Sequence, residues 1–379
     1  MSDESTSKSF VSGHDFSRAE NIAKLWGFSP CNAIISPATD RFNIRQTPLG
    51  PVLVTGASGF LGGRLAQVLV RQGEQVTVLA RPTSDLHHLS AFVGGPIRVV
   101  TGALTESASL HEALRDATAV FHCAAASTDW ARMSIYTECN VRGTQMLLDA
   151  ARHATRLQRF VHVSTTDVYG YPSIPCAETG ALKDAGLPYN RTKILAEEAV
   201  WREAQQNGLP VTVVRPATIY GPRGKAFVSD IAALLRKRQM IFIDSGRATA
   251  GLLYVDDVVD AMIAAARSPA AEGRAYNLSD GSGTTWKEYV SALARGLGCK
   301  LPWIDLPFGV AIGISGAMEA PFRCLPMPGR PPLTRHAVFL LGRHQEFPAH
   351  KARAELDFAP KVSVNEGIAR SVEWLKSAS

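Results

Sequence analysis

Tyr189 and Lys193 stand four residues apart in Tyr-Asn-Arg-Thr-Lys, a spacing that puts both on one face of a helix. An ammonium placed there lowers the pKa of a phenol, about 10 when free, and yields a group able to pass a proton. Upstream, Thr55-Gly56-Ala57-Ser58-Gly59-Phe60-Leu61-Gly62 follows an apolar run and opens a helical one. Gly56 permits a tight turn, Gly59 lets the backbone approach a pyrophosphate, and Gly62 lets helix and strand pack closely. The helix start then offers unpaired N–H groups and a positive dipole end to phosphate. Between the two motifs, Phe160-Val161-His162-Val163-Ser164-Thr165 carries adjacent hydroxyls at an expected strand end. Together they make an active-site proposal.

The elements that must position these groups alternate. Strands are expected at Val52–Thr55, Gln75–Ala80, Ile97–Thr101, Ala119–Ala125, Phe160–Val163 and Val211–Arg215, and helices at Leu61–Arg71, Ser107–Arg115, Thr144–Ala154 and Leu187–Gln205. Such alternation calls for an α/β fold, a doubly wound parallel Rossmann sheet with its ligand at the carboxyl ends of the strands. After Arg215 the alternation breaks and Pro and Gly rise. Residues 1–48 read as a separate, partly disordered extension with one short helix near Ser17–Trp26.

These motifs resemble the short-chain dehydrogenase/reductase superfamily in its extended, NAD-dependent epimerase/dehydratase-like branch, from about Pro51 to about Leu375. The resemblance implies a Rossmann core at 49–218 with return segments at about 251–280, such as Val255-Asp256-Asp257 and Tyr276-Asn277-Leu278. An interleaved, smaller substrate lobe would take 219–250 and 281–360. It implies hydride transfer with Tyr189 as the acid or base and Thr165 orienting the same substrate oxygen. Thr165 is reached by counting back from Val168-Tyr169-Gly170, with Ser164 in reserve. Lys193 would also hold the nicotinamide ribose. Asn140, in Asn140-Val141-Arg142-Gly143-Thr144, either orders a water beside Lys193 or simply starts a helix. Pro216 and Thr218 lie in the loop whose backbone would hold the carboxamide. Ala124, at the end of the fourth strand, would touch the cofactor, and His122 there reads as structural.

Cofactor choice is read at the end of the second strand, where an acidic residue would bind the ribose of NAD. Ala80-Arg81-Pro82-Thr83-Ser84 stands there instead. Arg81 either pairs with a 2′-phosphate or is a plain surface residue, so NADP is preferred over NAD. Gly102-Ala103-Leu104 departs from the superfamily's Gly-Asp-Leu, which removes the usual adenine acceptor and leaves Leu104 in that stretch.

The branch with the nearest features is the 3β-hydroxysteroid dehydrogenase-like one. They are Asp129-Trp130 ahead of Tyr136, Pro332-Leu333-Thr334-Arg335, Glu355-Leu356-Asp357-Phe358-Ala359-Pro360, and Glu366-Gly367-Ile368 with Trp374-Leu375. The substrate would then be a hydrophobic ketone or secondary alcohol, with the apolar stretch Phe308–Met318 a core or pocket-lining helix or, as a minority reading, touching a membrane surface. One rival is a nucleotide-sugar epimerase or dehydratase using Arg223, Lys225 and Arg247 on a diphosphate. The other is an NADP-sensing protein without turnover, which would be expected to lack the Tyr or the Lys.

Bulk properties fit a globular enzyme. Of 379 residues, 46% are hydrophobic and 20% charged, and the net charge of +6 is dispersed, which argues against nucleic acid as partner. Six cysteines form no Cys-x-x-Cys pair, so reduced thiols in a cytoplasmic protein are expected, with no metal site. No secretory signal and no membrane span are expected. Dimerisation through helices after the fourth and fifth strands is what the superfamily resemblance implies.

Overall fold

The apolar run Val52–Thr55 forms the fully buried strand β1, and the sheet grows outward from it. The computed structural model describes residues 48–377 except 326, so the expected N-terminal extension and its helix lie outside the described residues. β1 pairs in parallel with β2 (Val76–Ala80) and, on its other side, with β4 (Ala119–His122). Adding β3 (Ile97–Thr101), β5 (Arg159–Val163), β6 (Val211–Pro216) and β10 (Arg274–Leu278) gives the order β3-β2-β1-β4-β5-β6-β10, parallel throughout. The direction of winding reverses between β1 and β4. A crevice opens there at the strand carboxyl ends, where ligands of such sheets bind.

Helices cover both faces. α1 (Phe60–Arg71) and α6 (Val255–Arg267) bury Leu65, Leu69, Val258 and Met262 on one side. On the other, α2 (Ser107–Leu114), α3 (Gly143–Arg152) and α4 (Pro188–Asn207) bury Leu110, Leu147, Leu148 and Val200. Each such side chain contributes roughly 1.5–3 kcal/mol by leaving water. α4 starts on Pro188 and ends at left-handed Gly208, the arrangement in which Pro sacrifices no helical hydrogen bond and Gly adopts φ > 0 without strain.

The helix expected at Thr144–Ala154 begins much earlier. A helical turn at Met133–Tyr136 runs through a π-helical turn, Thr137–Arg142, into α3. The wider turn breaks the 3.6-residue periodicity, so the sequence pattern there does not read as helix. Asn140 therefore sits inside a helical run, not at its start.

A smaller lobe gathers α5 (Asp230–Arg236), α7 (Trp286–Gly296) and α10 (Val364–Ser377) around Tyr220, Tyr254, Trp286 and Tyr289. β7 (Thr218–Tyr220) pairs with β9 (Leu252–Tyr254), and β8 (Ile241–Ile243) with β11 (Ile304–Leu306). The apolar stretch becomes α8 (Phe308–Cys324), which packs on α9 (Arg335–Gly342). α8 buries only Ala311, Ser315 and Glu319, a stripe at four-residue spacing. Ile312 packs with Ile243, Val338 and Leu341 in a small core of the lobe itself, while Val310 and Met318 are exposed. Of the two expected roles for this segment, core and pocket lining, Ile312 takes the first. Among the described residues no helix is long and apolar enough to cross a membrane.

Candidate active site

The glycine turn has the shape its sequence implies. Gly56 has φ +75°, and a Cβ on it would stand 2.7 Å from the Ala124 backbone nitrogen, so side chains are excluded there by both strain and overlap. Gly59 N–H donates to Gly56 O (2.9 Å), and Gly59 caps α1 without a side chain. The first N–H groups of α1 thus remain for an anion. Phe60 and Leu61 turn into the lobe's aromatic core. These features fit a dinucleotide pyrophosphate.

Behind the cradle, His122 is a strut. Thr144 Oγ1 donates to Asn140 O (2.6 Å), so it accepts from His122 Nε2–H (2.9 Å), and His122 Nδ1 accepts from Thr55 Oγ1 (2.8 Å). Burial and the charge of Lys193 hold this imidazole down at about 3, so it stays neutral. Arg81 is exposed at the end of β2, its N–H donating to Ser84 Oγ (3.1 Å). Leu104 lies against Gly143, where an added Cβ would come within 2.9 Å of it. Ala103 N–H turns to the carboxylate of Glu106 (3.4 Å). In the loop after β6, the N–H groups of Ala217 and Thr218 donate to Leu278 O (3.0 Å) and Gly251 O (2.9 Å). Those donors are committed to stitching the loop between two sheets, so the expectation that this backbone holds the carboxamide does not extend to them.

The groups expected to handle the proton converge at the carboxyl end of β5. Thr165 is buried there, accepts from Asp167 N–H (3.2 Å) and caps the turn Thr166–Tyr169. The Tyr189 phenol is pushed well above its ordinary range by burial first and then by the Asp167 carboxylate and Tyr136, while a hydrogen bond with Thr165 pulls the other way. Lys193 does not deliver the expected lowering. Its ammonium donates to Val163 O (2.7 Å), and burial brings it down to about 8 against the pull of Glu197, Cys139 and Cys123. The four-residue spacing puts Tyr189 and Lys193 on one helix face, and the lysine ammonium bonds the strand end at Val163 O.

Two expectations change with the partners. Ser164 is not a reserve for Thr165, because its hydroxyl donates to the fully buried Glu197 (2.7 Å). Glu197 also accepts from Trp201 and is ion-paired with buried Arg215, which donates in turn to Tyr169 Oη (2.6 Å). Asn140 is a clamp: its amide accepts from Ala126 N–H (2.7 Å) and donates to Ala126 O (3.2 Å) and Thr192 Oγ1 (3.1 Å). It ties the loop after β4 to α4, directly beside the Tyr–Lys helix face.

Sequence alone leaves one side of the site unassigned. His336, in the first turn of α9, donates from Nε2 to Asp167 Oδ2 (3.0 Å), which also accepts from Tyr171 Oη (2.9 Å). The imidazole stacks on the Tyr189 ring, centroids 5.6 Å apart and planes at 23°. Further ring contacts join His336 to Tyr171 (6.4 Å), Tyr171 to Phe339 (5.3 Å) and Phe339 to Phe308 (5.7 Å), and Tyr136 meets Tyr189 at 6.5 Å. Residues 167 and 336 are too distant in sequence for spacing to join them. The one local signal was Thr334, whose side chain caps α9 and so marks His336 as a first-turn residue.

The branch motifs form a latch between lobe and core. Thr334 Oγ1 donates to Asp129 Oδ2 (3.0 Å), Arg330 pairs with Asp129 (2.9 Å), and the Trp130 and Phe322 rings meet edge to face. Of the cations suggested for a diphosphate, Arg223 sits beside His88 and the first turn of α1, Lys225 pairs with Asp230, and Arg247 is exposed. Among the described residues no cluster could hold a metal ion.

Residues 52–279 match the sequence profile of the NAD dependent epimerase/dehydratase family. A 4-hydroxy-2-methyl-3-oxo-4-farnesyl-3,4-dihydroquinoline-1-oxide ketoreductase from Stigmatella aurantiaca is 34% identical over 319 residues, covering 83% of this chain and 93% of that protein. A 2-alkyl-3-oxoalkanoate reductase from Stenotrophomonas maltophilia is 31% identical over 330 residues, 84% of this chain and 97% of that protein. A UDP-glucuronic acid 4-epimerase from Bacillus cereus, solved in complex with NAD, shares the fold with a TM-score of 0.68 at 22% identity, covering 86% of this chain and 99% of that one.

Proposed function

The chain belongs to the NAD dependent epimerase/dehydratase family of enzymes, and we propose that within it this protein is a reductase of hydrophobic ketones, using NADPH in preference to NADH. The observation that carries this reading is the run of rings from Phe308 through Phe339, Tyr171 and His336 to the Tyr189 phenol. A wall of that kind binds apolar substrate surface, at about 0.8 kcal/mol per buried methylene, and leads it to the proton donor. Two relatives whose names specify ketone substrates with alkyl or farnesyl chains support the same class. Arg81 at the end of β2, where NAD-binding chains carry an acid, supports NADPH.

The dinucleotide, when bound, supplies the hydride; Gly56, Gly59 and Gly62 with the first turn of α1 would hold its pyrophosphate, and Arg81 a 2′-phosphate. The chain's own task is the proton. Tyr189, its pKa raised, holds its proton at Oη through the neutral range and so suits the reductive direction, in which a carbonyl oxygen becomes a hydroxyl. Thr165 reaches the same phenol and would hydrogen-bond the same oxygen, fixing the carbonyl for transfer. Lys193 keeps the end of β5 in place through Val163 O.

Purified protein should oxidise NADPH with long-chain 3-oxo acids or bulky cyclic ketones, faster as the apolar part lengthens. Turnover confined to UDP-sugars would refute the reading in favour of an epimerase.

A further inference from the structure

From the placement of His336 we infer that this residue, held by Asp167, recognises a second oxygen on the substrate, one or two carbons from the ketone. The inference rests on the ketoreductase reading and narrows its substrate class to oxygen-substituted ketones such as 3-oxo acids and hydroxy ketones.

Three observations converge on it. Asp167 Oδ2 accepts from His336 Nε2, so the proton-bearing nitrogen is fixed and the ring cannot turn freely. Asp167 is itself anchored: its carboxylate accepts from Tyr171, and its backbone carbonyl accepts from the buried Asn190 amide. Second, the imidazole stacks on the Tyr189 ring, centroids 5.6 Å apart, so His336 neighbours the residue that serves the ketone oxygen. Nδ1 makes no hydrogen bond among the described residues, and the side chain is 11% exposed. Third, His336 is delivered from the lobe by a helix start clamped to the core, since Thr334 caps α9 and also bonds Asp129. Its position relative to Tyr189 is therefore built, not incidental.

The chemistry selects the ligand. With Nε2–H given to Asp167, Nδ1 accepts from a neighbouring hydroxyl when the ring is neutral and donates to a carboxylate when it is protonated. An acid group on the substrate would be repelled by Asp167 unless a histidine stood between them, and His336 stands there. A ketone lacking the second oxygen would leave Nδ1 desolvated and unpaired, which is how a site built for a polar group rejects its absence.

The test compares a 2-alkyl-3-oxo acid with the ketone that remains when that acid loses carbon dioxide, and adds a 2-hydroxy ketone of equal chain length. NADPH oxidation gives kcat and KM for the wild type and for His336→Phe, which keeps a flat ring against Tyr189. The wild type should favour the acid or the hydroxy ketone over the plain ketone by roughly 10-fold to 100-fold in kcat/KM, the size of one charge-assisted hydrogen bond. His336→Phe should collapse that ratio, mainly through KM, and His336→Gln should restore part of it. A latch with no part in recognition would move all substrates together, and an unchanged ratio in the variant would overturn the inference while leaving ketone reduction standing. Absence of any ketone turnover would instead remove the ketoreductase reading, and the inference with it.

Discussion

Replacing Glu197 with Gln tests whether the buried network beneath the site works as described. The Glu197 side chain is fully buried and that of Arg215 is 6% exposed, so solvent does not screen the pair. One carboxylate oxygen accepts from Arg215 and Trp201, the other from Arg215 and Ser164. Whichever way the new amide turns, its NH2 faces at least one Arg215 or Trp201 N–H, and the guanidinium loses its counter-charge. Breaking one member of a buried pair costs about 3–5 kcal/mol. With an unfolding entropy of about 2.1 cal/mol/K per residue over the described residues, Tm should fall by roughly 4–7 °C. The fall should be the same at low and high salt, as burial requires. Turnover should drop as well, since Ser164 precedes Thr165 and shares the strand end with Val163. The double variant Glu197→Met, Arg215→Met should recover much of the lost stability, because no unpaired charge remains. Differential scanning calorimetry on wild type, single and double variants reads both effects. A single variant within about 1 kcal/mol of wild type, or a double variant worse than the single, would refute the reasoning.

Further outcomes follow from other positions. Arg81→Asp should shift preference from NADPH toward NADH, measured as the ratio of kcat/KM for the two cofactors, because a carboxylate repels a 2′-phosphate and accepts from a 2′-hydroxyl; an unchanged ratio would detach Arg81 from cofactor choice. Ketone reduction should hold level up to about pH 8 and decline above it as Lys193 loses its proton. For stability the sign is opposite: a lysine whose folded pKa lies below its unfolded value carries its full penalty below pH 8, and the penalty lifts as pH climbs toward about 10.4. Ile312→Asp should lower Tm by disrupting the contacts with Ile243, Val338 and Leu341, with substrates of all sizes affected alike; a selective loss of large substrates would return this residue to the pocket.

What could be read from the sequence was what is local. β1 and β3 have the bounds their apolar runs imply, and the cradle could be named because three glycines, a strand and a helix are contiguous. β4 stops at His122, short of the apolar run's end, because after the Cys123 N–H bond to Thr55 O the next N–H, that of Ala124, turns to the Thr55 hydroxyl instead of continuing the ladder. The helical run through Asn140 was hidden by its π-turn. Thr165 was legible by counting back from Val168-Tyr169-Gly170, and Tyr189 from its four-residue spacing to Lys193. The role of Lys193 was not, since spacing gives the helix face and says nothing about how far the side chain reaches. Asp167, Tyr171 and His336 meet only after the lobe folds back on the core.

The most direct test of the account is turnover by Tyr189→Phe, with dinucleotide affinity measured in the same preparation by fluorescence titration. The variant removes one hydroxyl and keeps the ring that stacks on His336 and meets Tyr136 at a tilt. Cofactor affinity and Tm should stay near wild type, while kcat for ketone reduction falls by a factor on the order of 100 or more, the contribution of a general acid. Near-normal reduction by a folded, cofactor-binding Tyr189→Phe protein would contradict the claim that this phenol supplies the proton.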